Sequence, residues 1–203
     1  MRISELSAAS SVPVATIKYY LRERLLPEGR RSSATQATYG DAHVARLGVI
    51  RALVDSGVGI AGVRKVIAVL DDPPDDPYEI LGAANGAVTP EAPDDIDLGA
   101  ASALIDRMGG DADACFPEQV AAVAHALATL ERAGFVVPPD VMTAYLRGLT
   151  SMADAELAAT PIDSPEESVR YVVLGTVLVE PLILALRRVA EQIAAARQFG
   201  ARR

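Results

Sequence analysis

A run of aspartates and prolines, Asp71 to Pro77, divides the chain into two parts. Proline lacks a backbone N–H and forces the residue before it into an extended conformation, so this run interrupts any helix. Residues 78–97 remain rich in Gly, Ala, Asp and Pro, with at most one turn of helix at Tyr78 to Leu81. We therefore predict one domain at residues 1–70, an acidic linker at 71–97 and a second domain at 98–203.

The two parts carry opposite charge. The 203 residues have a net charge of −8, which by itself argues against binding a polyanion such as DNA. Residues 1–70, however, hold ten basic and five acidic side chains, a net charge of +5, whereas the remainder has nine basic and 22 acidic ones, a net charge of −13. The basic part can therefore meet nucleic acid while the acidic part stays away from it.

The first 25 residues predict a helix-turn-helix. Ile3 and Leu6 share one face of a short helix over about residues 4–9, and Ser10 to Pro13 form a tight turn. A second helix follows over about residues 14–24, in which an apolar stripe recurs every three or four residues: Val14, Ile17, Leu21 and Leu25. Two short helices joined in this way place the second one in the major groove of DNA.

Ala15, Lys18, Tyr19 and Arg22 project away from that stripe. Small side chains allow close approach, Lys18 and Arg22 supply charge, and tyrosine hydroxyls reach phosphates. Tyr19 and Tyr20 can alternatively be core aromatics. The predicted contacts on the second helix are Ala15, Thr16, Lys18, Tyr19, Tyr20 and Arg22.

The segment from Leu25 to Tyr39 predicts a wing, that is, a small hairpin beside the recognition helix. It contains turn residues and the pair Arg30 and Arg31, which together with Tyr39 we expect to grip the DNA backbone. Asp41 then caps a third helix, and a fourth follows Gly57 to Gly59. Arg46 and Arg51 on the third helix fit structural or solvated roles at least as well as phosphate contact.

These residues resemble the MerR family of bacterial transcriptional regulators over about residues 2–70. The resemblance is carried by Ile3 to Leu6, by Val14 to Tyr20, by Leu25-Leu26-Pro27, by Tyr39-Gly40-Asp41, and by two later segments, Ile50 to Leu53 and Gly57 to Arg64. It implies a winged helix-turn-helix, a homodimer, an operator of two inverted half-sites in a promoter, and RNA polymerase as a partner there.

Three departures from the family pattern stand out. Arg24 occupies a position before the paired leucines where the family usually has glycine. Gln36 and Ala37 replace a usual Tyr-Arg pair in the wing, which removes one expected phosphate contact that Arg30 and Arg31 can replace. The usual long dimerisation helix does not follow the fourth helix directly, so a helix over 117–134 or, as we expect, the longer one over 165–199 forms the dimer.

The second domain predicts a helical bundle, which makes the fold mainly all-α. Apolar residues recur at helical spacing, and the most apolar run, Tyr171 to Leu186, contains Glu180 and Pro181. We interpret that run as a buried helix of a cytoplasmic protein, with no membrane contact, since it is short and interrupted for a membrane span. The predicted ligand site, for a small apolar or amphipathic effector, is formed by Met142, Tyr145, Met152 and Glu180.

These features bear on three classes of function. A dimeric transcriptional regulator that responds to a small molecule fits them best, and the alternative is a DNA-binding regulator controlled by a protein partner through the acidic part. An enzyme is disfavoured because no nucleophile–base pair, metal-ligand spacing or phosphate loop is apparent. With Cys115 as the single cysteine, no metal centre or other cofactor is expected.

Overall fold

A computed structural model describes residues 1–31, 36–161 and 164–200. The chain divides into two compact units. The first contains Met1–Asp72 and the residues from Val177 onward, and the second contains Pro73–Thr176. The architecture is mainly α-helical, as the sequence predicts.

Residues 1–72 form a winged helix-turn-helix. Helices α1 (Ile3–Ser10) and α2 (Val14–Arg22) are followed by strands β1 (Arg30–Arg31) and β2 (Ala37–Thr38), and then by α3 (Asp41–Asp55) and α4 (Ile60–Asp71). The strands pair antiparallel, with Arg30 opposite Thr38 and Arg31 opposite Ala37. The predicted wing is therefore present, although part of its tip, residues 32–35, lies outside the described residues.

The apolar stripes predicted along these helices meet in one core. Its fully buried side chains come from α1, α2, the Leu-Leu pair, α3 and α4: Leu6, Ile17, Leu25, Leu26, Leu47, Ile50, Leu53, Val63 and Val66. Burial of this many branched side chains is the main force that holds four short helices together, since isolated helices of this length are marginal in water.

Serine side chains shape the turn between α1 and α2. Ser7 Oγ donates to the Val12 carbonyl at 2.6 Å and Ser10 Oγ donates to the Leu6 carbonyl at 2.7 Å. Ser11 has a φ of 55° in the left-handed region, which reverses the chain within one residue. Pro13 then precedes α2 with a φ of −57°, and its missing N–H costs little there.

The predicted cap of α3 is one residue off. Gly40, not Asp41, is the N-cap residue, and its N–H donates to Nδ1 of His43 at 3.1 Å. Asp41 is the first helical residue, where its carboxylate still faces the positive end of the helix dipole.

The segment predicted as a loose linker contains a full helix, α5 (Pro77–Val88), rather than one turn. Asp76 caps it by accepting the Tyr78 N–H at 2.9 Å, and Pro77 occupies the first helical turn, where proline is well tolerated. The run of aspartates and prolines therefore both follows the end of α4 and begins α5. The high content of Ala and Gly in α5 makes the helix hard to predict from the sequence.

The second unit continues with α6 (Gly99–Arg107), one turn of 3-10 helix (Ala112–Ala114), α7 (Pro117–Arg132) and α8 (Pro139–Ala158). The Phe116 ring packs on Gly82 of α5 and stacks on Tyr78, with ring centroids 4.6 Å apart. The cluster of buried residues around α6 and α7 is small: Ala101, Val120 and Ala124. Helix α8 has no fully buried residue.

Helix α9 (Pro165–Phe199) runs unbroken through Pro181. The prediction that its apolar run, Tyr171 to Leu186, is buried is wrong for the C-terminal part of that run, since Leu182, Leu184 and Leu186 are 55%, 51% and 58% exposed. By length and composition alone, one helix among the described residues, Glu166–Phe199, is suited to crossing a membrane. The core helix of a soluble protein can meet the same criterion. Helical periodicity and apolar content do not say whether a neighbouring element covers a helix.

Candidate nucleic-acid interface

Helix α2 presents a polar side opposite its buried stripe. Ile17 is fully buried, whereas Ala15, Lys18 and Arg22 are exposed and Thr16 is half-buried. Since Ala15, Lys18 and Arg22 are spaced by three and four residues, they form one row along the helix. The structure therefore brings together in one row three of the six residues that the sequence predicts as contacts on this helix.

Tyr19 and Arg22 form a contact on the same side of α2. The Arg22 guanidinium lies 5.3 Å from the centre of the half-buried Tyr19 ring. Such cation–π contacts orient a guanidinium without neutralising it. Arg22 thus keeps its charge, although Nε also lies 4.0 Å from a Glu23 carboxylate oxygen.

Tyr20 faces the other way. Its side chain is 7% exposed, and burial, with smaller effects from Tyr19 and Asp55, raises the pKa of its hydroxyl. Burial of this kind favours the core interpretation of Tyr20 over a direct contact with DNA.

Tyr39 anchors the wing from inside. It is 9% exposed, its ring meets His43 edge-on at 5.2 Å, and its backbone pairs with Met1 through two hydrogen bonds of 2.7 and 2.8 Å. A Cβ on Gly29 would come within 2.8 Å of the Tyr39 ring, so only glycine fits there without displacing the ring. Tyr39 therefore holds the strands on which exposed Arg30 and Arg31 stand.

Ion pairs separate the cations of residues 1–72 into two groups. Arg46 pairs with Asp71, Arg51 with Asp55 at 3.5 Å, and Arg64 with Glu23 at 2.9 Å. Within the described ranges, by contrast, four cations of the recognition helix, its end and the wing have no ion pair: Lys18, Arg24, Arg30 and Arg31. A cation without an intramolecular carboxylate is available to a phosphate.

Arg24 is the one member of this group that the sequence did not predict as a DNA contact, and it stood out there only as a departure from the family pattern. It has a φ of 58°, and the end of α2 is closed by two hydrogen bonds, Leu25 N to the Tyr20 carbonyl at 2.9 Å and Arg24 N to the Leu21 carbonyl at 3.2 Å. These bonds define the Schellman motif, whose left-handed residue is usually glycine. The same motif ends α3 with Gly57, at a φ of 90°.

The four residues predicted to bind an effector are divided between the two units. Met142 and Met152 are half-buried, Tyr145 is 43% exposed, and exposed Glu180 belongs to the other unit. Burial raises the pKa of Glu180 nonetheless. A cleft of about 620 Å³ does exist in the second unit, but it lies on a different face of α8 and none of the four residues lines it.

Cys115 is half-buried against the small cluster around α6 and α7. In the part of the chain that the structure describes, no three His, Cys, Asp or Glu side chains lie close enough together to hold a metal ion.

A helix-turn-helix with a two-stranded wing, and with cations on both that have no ion pair among the described residues, is typical of a DNA-binding domain. Residues 1–70 match the family described as MerR HTH family regulatory protein, so this part of the chain is a MerR-type helix-turn-helix domain, which indicates a DNA-binding transcriptional regulator.

The whole chain is also similar to a solved structure, that of the putative transcriptional regulator SCO5550 from Streptomyces coelicolor A3(2). The two are 29% identical, the similarity covers 100% of each chain, and the TM-score is 0.65. The comparison with curated proteins gives no match.

Proposed function

We propose that the chain is a homodimeric, non-enzymatic regulator that binds an inverted-repeat operator in a promoter and changes how RNA polymerase engages there. The observation that carries this proposal is the set of unpaired cations on α2 and the wing. Lys18 stands on the exposed row of α2, and Arg30 and Arg31 stand on β1. We expect α2 to contact base edges and the wing to contact phosphates, because base contacts specify the sequence and phosphate contacts position the protein.

A titration of the protein with duplex DNA from its own promoter region tests the DNA part. Lys18→Ala and Arg31→Ala should each weaken binding, and each lost phosphate contact should lower the salt slope by about 0.9. Arg51→Ala is the matched control, because it removes an exposed cation of the same domain that is already paired with Asp55. Equal losses for all three variants, or no binding to this DNA at moderate salt, would contradict the proposal.

The dimer is proposed to form through α9. Four exposed apolar side chains follow one another along α9 at intervals of four, three and four residues: Leu182, Leu186, Val189 and Ile193. This is the spacing of a coiled-coil seam. The charged residues Arg187 and Glu191 lie off this seam and pair with each other at 2.7 Å. A second copy of the same seam is the occupant that matches this spacing, and it would bring two recognition helices together for two half-sites.

Light scattering on the full chain tests this assignment. Leu186→Glu and Ile193→Glu place a charge on the seam and should shift the mass from dimer toward monomer. Ala195→Glu makes the same change on the opposite side of α9 and should leave the dimer intact. Partition of the wild-type chain into phosphatidylcholine vesicles, with no dimer in buffer, would instead assign the seam to lipid.

Regulation by a small amphipathic effector in the second unit completes the proposal. An effector acts only if it binds one dimer geometry more tightly than the other, which changes how the two recognition helices are held. A promoter affinity that no small molecule alters, but that a co-purifying protein does, would favour control by a protein partner.

A further inference from the structure

The cleft of the second unit lies between the C-terminal end of α6 and one face of α8. From α8 it is lined by residues spaced three or four apart over about three turns, so that one continuous helix face forms its floor. Its volume of about 620 Å³ is within the range of small-molecule sites, and it is open to solvent on one side.

Two arginines from different helices line this cleft. Arg107 at the end of α6 and Arg147 on α8 both line it, and Arg107 Nη2 donates to Thr143 Oγ1 at 3.0 Å. Thr143 in turn donates to the Pro139 carbonyl at 2.9 Å, which fixes its hydroxyl as an acceptor for Arg107. One guanidinium is therefore held in place before any ligand arrives.

Neither arginine is neutralised by the protein. Across residues 1–31, 36–161 and 164–200 no ion pair involves Arg107 or Arg147. Asp154 is the acidic residue of the lining, and it stands seven residues beyond Arg147, about 10 Å along the helix axis. The α6 end of the cleft is thus positive, in a unit whose surroundings are rich in acidic residues.

Apolar surface adjoins the two cations. Met108 and Leu146 also line the cleft, and Met108 is 41% exposed. The Thr150 hydroxyl donates to the Leu146 carbonyl within α8 at 3.0 Å. A ligand that suits these walls has one anionic group and a compact apolar body.

From these features we propose that the cleft formed by Arg107, Arg147, Met108 and Leu146 binds small amphipathic carboxylates. The carboxylate lies between the two guanidinium groups, which are suited to planar, bidentate recognition, and the apolar body lies against Met108 and Leu146. The site differs from the residue set that the sequence predicted. Only its regulatory consequence, a change in operator affinity, rests on the proposed function.

Calorimetric titration of the full chain, without DNA, tests the binding step with three probes: 2-naphthoate, its neutral counterpart 2-naphthamide, and inorganic phosphate. 2-Naphthoate should bind most tightly, because only it has both the charge and the apolar body. Arg107→Gln and Arg147→Gln should each weaken 2-naphthoate binding about tenfold or more, as expected for a lost charged hydrogen bond. Arg132→Gln is the matched control, since Arg132 is an exposed arginine on α7 that also donates to a threonine hydroxyl, at 2.9 Å from Thr129.

Equal binding of 2-naphthoate and 2-naphthamide would overturn the role of the arginines. Phosphate binding as tight as that of 2-naphthoate would overturn the amphipathic part, and losses in Arg132→Gln equal to those in the cleft variants would place the ligand elsewhere. Lys18→Ala should bind 2-naphthoate like the wild type while losing DNA affinity. Failure of the cleft and failure of DNA binding are therefore separate results.

Discussion

The Arg64 guanidinium on α4 donates a hydrogen bond to the carboxylate of Glu23, the C-cap residue that follows α2, with Nη2 and Oε2 2.9 Å apart. The contact joins the recognition helix to the last helix of the DNA-binding domain across 41 residues of sequence. Because both side chains are partly exposed, water and salt screen this pair.

A double-mutant cycle with Arg64→Ala and Glu23→Ala should therefore give a coupling of about 0.2–1 kcal/mol in the free energy of unfolding. Urea denaturation at low salt measures the coupling, and it should shrink when the salt is raised to about 1 M. A coupling that does not depend on salt would show that the two residues stabilise the domain through packing and not through charge.

Arg24→Gly should stabilise the protein by about 1 kcal/mol, because a left-handed residue with a Cβ is strained by roughly that amount. Thermal unfolding measures the gain. Gly57→Ala places a Cβ at the equivalent left-handed position after α3 and should destabilise by a similar amount. Stabilisation of Arg24→Gly should come with weaker DNA binding, since the change also removes an unpaired cation. A variant less stable than the wild type would show that the Arg24 side chain contributes more than its backbone costs.

Gly82→Ala should destabilise the second unit by about 1–3 kcal/mol, the usual range for overpacking. The new Cβ would lie 2.2 Å from the Phe116 ring, so the ring and its stack on Tyr78 must move. Gly86→Ala is the control in the same helix, because nothing lies within 4 Å of a Cβ there and alanine favours helix by up to about 1 kcal/mol. Equal effects of the two changes, measured by urea denaturation, would mean that the Phe116 ring adjusts freely.

Glu180 should make the protein less stable as the pH rises. Burial raises its pKa in the folded state above the ordinary value, so the folded chain holds this proton more tightly than the unfolded chain does. The resulting stabilisation is complete below the unfolded pKa and is lost as the pH rises through the folded pKa. Glu180→Gln should therefore be more stable than the wild type at neutral pH and equal to it in acid.

Thermal unfolding from pH 4 to 8 measures that difference. Glu191→Gln, which changes an exposed carboxylate paired with Arg187 on the same helix, is its control and should not reproduce the effect. A difference between Glu180→Gln and the wild type that stays constant with pH would contradict the titration of Glu180.

Local features of the sequence predicted local structure well. The helix-turn-helix, the wing and α6 to α9 were all expected from apolar periodicity, prolines at helix starts and glycines at helix ends, because these signals act within a few residues. Helix α5 is missed because Gly82, Gly86 and the preceding Asp/Pro run mask its short apolar stripe, which contains Ile80, Ala84 and Val88.

Roles that depend on contacts between residues far apart in the chain could not be predicted from the sequence. Nothing near Arg64 in the chain points to Glu23, which is 41 residues away. The cleft arginines are 40 residues apart, so no motif joins Arg107 to Arg147.

The sequence by itself determined that this protein has a basic winged helix-turn-helix followed by an acidic, helical part, since charge, turn chemistry and helical periodicity are properties of short segments. The tertiary structure decided which cations stay free for DNA, which tyrosines enter the core, and that α9 carries an exposed apolar seam. Those outcomes follow from packing and ion pairing between residues far apart in the chain, which exist only when the fold brings them together.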